Sequence, residues 1–83
     1  MYDINDLSKI TIVKRVGQNS IGTDDYILSL ITNTDSEISI IVLPYREDTV
    51  LIIDELDRLL KLPVECFKDG GLLGIKKISR ELI

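Results

Sequence analysis

Residues 25–43 read Asp25-Tyr26-Ile27-Leu28-Ser29-Leu30-Ile31-Thr32-Asn33-Thr34-Asp35-Ser36-Glu37-Ile38-Ser39-Ile40-Ile41-Val42-Leu43, two apolar runs around a four-residue polar break. Each run is short, rich in β-branched residues and bounded by turn-forming residues, which marks strands and not helix. The first, Asp25 to Asn33, sends Tyr26, Leu28 and Leu30 to one face and Ile27 and Ile31 to the other. Both faces need cover, as in a central strand. The second, Glu37 to Leu43, sets Ile38, Ile40 and Val42 on one side, with Ile41 and Leu43 as a surplus apolar face for a helix or a second chain. Asn33-Thr34-Asp35-Ser36 is a tight turn, so the two runs form an antiparallel hairpin.

Working outward, Lys9 to Val16 alternates around Ile10 and Ile12 and is a further strand, after a short turn within Asp3–Ser8. Gly17 to Asp24 has loop composition. Pro44 closes the third strand. A helix is expected over Asp48–Leu62, with Asp48 or Thr49 as cap, Glu47 and Asp48 at the positive end of its dipole, and Pro63 as its stop. On its wheel Ile52, Ile53, Leu56, Leu59 and Leu60 share one arc. Asp54 with Arg58 and Asp57 with Lys61 are spaced as i,i+4 pairs. Val64–Phe67 reads as a short strand, 68–71 as a turn, and Ile75, Ile78 and Leu82 have helical spacing. The expected fold class is α+β: a three-stranded antiparallel meander, one amphipathic helix across one face, and a short C-terminal strand or helix.

The chain has 83 residues, enough for one core and a single domain spanning 1–83. Ile, Leu and Val fill 31 positions and Ala none, so the apolar content is high for the length. This isoleucine-rich composition fits an A+T-rich genome, that of a microbe or its virus. No apolar run is long enough to span a bilayer, and Asp3 and Asp6 stand where a secretory signal would carry bases, so a cytoplasmic protein with no membrane role is expected. Cys66 is the only cysteine and reads as a small buried hydrophobe.

The string Val50-Leu51-Ile52-Ile53-Asp54-Glu55-Leu56-Asp57 resembles the Walker B strand of AAA+ ATPases and helicases, which would make Asp54 a magnesium ligand and Glu55 the orienter of water. A phosphate loop would have to accompany it. Gly17 and Gly22 have the spacing, but Thr23 follows with no lysine between. The chain has no histidine, so the commonest general base and metal ligand are missing, and neither Cys66 nor any serine has an imidazole to activate it. Asp24 with Asp25, or Asp35 with Glu37, lack the spacing of a calcium loop. The reading is therefore non-enzymatic, with no cofactor and no metal. Gly70-Gly71-Leu72-Leu73-Gly74 suits a turn that tucks its leucines into the core or shows them to a partner. Tyr2, Tyr26 and Tyr45 suit core-edge packing or interface anchoring.

The net charge is −4, which argues against direct contact with nucleic-acid phosphates. Its distribution is uneven: residues 19–57 hold nine acids against Arg46, a balance of −8, whereas residues 58–83 hold six bases against three acids, a balance of +3. The acidic segment suggests a surface aimed at a basic protein partner, one that itself handles nucleic acid. The residues assigned to it are Asp24, Asp25, Asp35, Glu37, Glu47, Asp54, Glu55 and Asp57. The order of a short start at Ile4-Asn5-Asp6-Leu7, three strands and a helix is loosely similar to DNA-mimicking anti-CRISPR proteins, which implies a phage-type inhibitor. The alternative is a structural protein that homo-oligomerises, a homodimer for instance, through the apolar face of the Tyr26–Leu43 hairpin.

Overall fold

The computed structural model describes residues 4–17 and 24–83, so Tyr2, Gly22 and most of the Gly17–Asp24 loop lie outside it. A 3-10 turn at Ile4–Asp6 leads into β1 (Leu7–Arg15), followed by β2 (Asp25–Thr32), β3 (Glu37–Leu43), α1 (Arg46–Leu60), β4 (Val64–Asp69) and β5 (Ile75–Ile78). The fold is α+β, one helix on a mixed sheet.

The hairpin forms as its sequence dictates. Asp35 adopts a left-handed φ of 63° in the β2–β3 turn, a conformation that Asp tolerates better than most residues. Thr32 Oγ1 accepts from the amides of Thr34 and Ser36, closing the turn. The three-stranded meander is present as β3-β2-β1, but it is part of a five-stranded sheet of order β3-β2-β1-β4-β5. β1 pairs with β4 in parallel, Ile12 opposite Cys66, and every other pairing is antiparallel. Successive antiparallel pairings make β3 parallel to β1 and hence to β4. The chain from β3 through α1 to β4 is thus a parallel crossover that passes two intervening strands, and α1 supplies the length such a connection requires.

Residues directly paired across strands carry their side chains to the same face. One face therefore holds the row Ile41–Leu28–Ile12–Cys66–Ile78, with Ile10, Leu30 and Val64 beside it. Against this face α1 sets Ile53 and Thr49, both buried, with Ile52, Leu56 and Leu60 partly so, and Ile83 completes the core. Leu59, assigned to the packing arc, is exposed. Thr49 is buried without cost because its hydroxyl donates to the Tyr45 carbonyl at 2.8 Å.

The helix begins two residues before the expected Asp48, and neither Asp48 nor Thr49 caps it. Tyr45 is its extended N-cap, with no side-chain bond. It ends at Leu60, where Lys61 turns left-handed (φ 54°) and returns its amide to Asp57 at 2.9 Å. The helical spacing of Ile75 and Ile78 is overturned as well: these residues bound strand β5, and only a short 3-10 turn, Arg80–Leu82, follows. In a strand, positions three apart fall on opposite faces. Ile78 accordingly packs on the core while Ile75 is exposed. Leu72 is also fully exposed, not tucked inward.

Candidate functional site

The second face of the sheet carries no helix among the described residues. Its rows follow from the same register: Val42–Ile27–Val13–Phe67–Lys77 across the middle, Ile40–Ser29–Thr11–Glu65 beside it, and Asp25–Arg15–Asp69–Ile75 at one end. An apolar band thus crosses four strands and ends in a charged border. Near the β2–β3 turn an open depression of about 420 Å³ has Val13, Ile31 and Phe67 as its floor, with Lys9, Asp35 and Glu37 around it.

The acids assigned from sequence separate into two groups. Asp25 is buried and bound twice by Arg15, Nε to Oδ1 at 2.7 Å and Nη2 to Oδ2 at 2.6 Å. This bond, more than any other influence, holds the Arg15 pKa above its usual value. The Asp25 carboxylate is therefore occupied within the fold. Asp24 accepts from the Gly17 amide and lies 3.6 Å from Lys14. Glu55 pairs with Arg58, displacing the expected Asp54–Arg58 pair. Asp54 and Asp57 instead bind Arg80, at 2.7 and 3.0 Å. Five of the eight acids are thus matched by bases, Glu55 by Arg58 of its own helix and the others by bases of neighbouring elements, and Arg80 from the C-terminal turn folds back onto the acidic helix.

Asp35, Glu37 and Glu47 form the second group, exposed and without an ion pair among the described residues. Asp48, outside the sequence assignment, has the same standing and lies with Glu47 in the first turn of α1. There the helix dipole also favours both acids. These four residues bracket the apolar stretch of β3, with Asp35 before the strand, Glu37 at its first position, and Glu47 and Asp48 after it. Between them Ile40 and Val42 are 58% and 53% exposed on the open face, and Ile41 is 42% exposed on the helix side. The exposure of β3 follows from its place at the sheet edge, which the sequence of the hairpin alone does not specify.

A second cleft, of about 280 Å³, lies between α1 and residues 80–83, where Arg46, Asp54, Arg80 and Glu81 converge. Their charges are engaged: Arg46 Nε donates to the Ile83 carbonyl oxygen at 2.8 Å and Arg80 holds the helix acids. Glu81 is kept below the usual carboxylate range by its own amide and by Ser79, which makes it a poor base. Asp54 and Glu55 stand on α1 and not on a strand, so the Walker B likeness lacks its structural context. Cys66 is buried, and burial pushes its thiol pKa up. Among the described residues no group of His, Cys, Asp and Glu is arranged to hold a metal ion, and no helix is long and apolar enough to cross a membrane. No protein-family model, curated protein or solved structure matches the chain.

Proposed function

We propose that this chain is a non-enzymatic protein-binding module that acts on a partner with a basic contact surface. The observation that carries the reading is the joining of two features in one place: an exposed apolar strand, Ile40–Val42, and the exposed acids Asp35, Glu37, Glu47 and Asp48 around it, which have no ion pair among the described residues. Apolar area supplies affinity, and acids at its border steer a basic partner and fix its orientation. The sharper form of the proposal is an inhibitor of a nucleic-acid-handling protein, anti-CRISPR-like in action, whose basic groove would take the acidic border. Its support lies with these four acids and not with the whole 24–57 segment, because bases neutralise the remainder.

Affinity capture tests the reading, with the wild-type chain and a Glu37→Lys variant as parallel baits. A binding module of this kind retains a basic protein on the wild-type bait, releases it between about 50 and about 500 mM salt, and retains less of it on the variant. Retention indifferent to salt and to the variant contradicts it. A second reading, self-assembly through the hairpin, is favoured by the exposure of Ile40 and Val42 together. A monomer by light scattering at high protein concentration removes that reading.

A further inference from the structure

We infer that the outer edge of β3 accepts an extended strand from the partner, one whose apolar residues are flanked by lysine or arginine. This deepens the binding-module proposal and rests on it. The two edges of the sheet are built differently. β5 has four residues, two of them Lys76 and Lys77, and short charged edges resist stray pairing. β3 has seven residues with no lysine, arginine or proline among them. It projects Ile40 and Val42 on one side and Ile41 on the other, all exposed. Its protection among the described residues is Glu37 at its first position and an irregularity near Ile38, where the register with β2 slips by one residue. The stretch from Ser39 to Leu43 remains in regular register, and its outward amides and carbonyls face no other strand among the described residues.

Charge selects the occupant. Asp35 precedes the strand, Glu37 opens it, and Glu47 and Asp48 follow it. Arg46 is the one base in that stretch, and its Nε is already committed to Ile83. A second copy of this chain fits badly. Two-fold antiparallel pairing centred on Ile41 sets Asp35 of each copy toward Glu47 of the other, and parallel pairing sets each acid beside itself. A strand with cations at both ends meets acids at both ends. Its main chain then supplies the hydrogen bonds, while its alternate side chains lie beside Ile40 and Val42 on the open face and Ile41 and Leu43 on the helix side.

The experiment titrates three short peptides into the full chain, read by amide hydrogen exchange and NMR shifts. One alternates valine and threonine with lysine at both ends, the second has glutamate at both ends, and the third is the first with its alternate amides methylated. The lysine-ended peptide is expected to bind and to slow exchange of β3 amides. The glutamate-ended peptide should bind at least about tenfold more weakly, and methylation should abolish binding. Val42→Lys should abolish it too, with slow exchange at Ile12 and Cys66 reporting that the variant is folded. Equal binding of the two charged peptides, protection confined to other strands, or a chain dimer that excludes the peptides overturns the inference. If the peptides fail while the wild-type chain still captures a basic protein in a salt-sensitive way, strand addition alone is wrong. If that capture also fails, the binding proposal falls with it.

Discussion

Arg80 Nη1 lies 3.0 Å from Asp57 Oδ2, joining residues 23 apart in sequence across the cleft between α1 and the C-terminal turn. The hydrogen bond to Asp57 is the main cause of the raised Arg80 pKa, with the second contact to Asp54 adding to it. The contact changes how the charge of this molecule should be counted. Summed by segment, the helix is acidic and the following residues basic; in space, Arg80 offsets the helix charge at Asp54 and Asp57 and leaves that of Glu47 and Asp48.

Arg80→Ala is therefore expected to cost stability, but modestly. The side chain is 38% exposed and solvent screens it, so the loss is about 0.5–1 kcal/mol by urea unfolding and shrinks as salt is added. The variant also unmasks Asp54 and Asp57. If the helix acids belong to the contact surface, it binds the partner more tightly. If that surface is confined to the ends of β3, as proposed, its affinity stays close to wild type.

Lys61→Gly is expected to stabilise the chain. Lys61 ends α1 in the left-handed region, where a side chain is strained and glycine is not. Greater freedom of glycine in the unfolded chain offsets part of the gain, leaving an increase of about 0.5–1 kcal/mol in the unfolding free energy. A decrease in the urea midpoint would mean that the lysine side chain makes a contribution its geometry does not reveal.

Much of the fold is legible in sequence where its cause is local. The β2–β3 hairpin follows from alternation and a polar turn, β3 occupies Glu37–Leu43 as expected, and α1 follows from its apolar stripe. The pairing of β1 with β4 is not legible, because nothing in Val64–Phe67 names the strand it will join, and that pairing turns a meander into a five-stranded sheet. Ile75 and Ile78 carry a helical spacing that places them on opposite faces of a strand, and pairing to β4, which no local pattern announces, overrides it. For the candidate site, Asp35, Glu37 and Glu47 are visible as acids, but only the folded chain reveals that Arg15, Arg58 and Arg80 occupy most of the others.

Acid should loosen the open face of the sheet at one identifiable point. Lys9 at 3.1 Å and Lys77 at 3.6 Å hold the Glu65 carboxyl below its ordinary range, the hydrogen bond from Lys9 being the larger cause. A depressed folded pKa means that the carboxylate adds stability above the ordinary Glu value, roughly 4.3, and that this stability is lost as pH falls through the lower folded value. Wild type should thus exceed Glu65→Gln in melting temperature at neutral pH, and the gap should close in acid. A gap independent of pH would remove Glu65 from the acid response.

As proposed, this chain acts by contact, through an apolar strand edge bordered by exposed acids that have no ion pair among the described residues. The most direct test is calorimetric titration of the captured partner with wild type and with an Asp35→Asn, Glu37→Gln, Glu47→Gln variant, which keeps shape and removes charge. Binding at least about tenfold weaker is expected for the variant at low salt, with the two affinities converging as salt rises. Equal affinity at every salt concentration would contradict it.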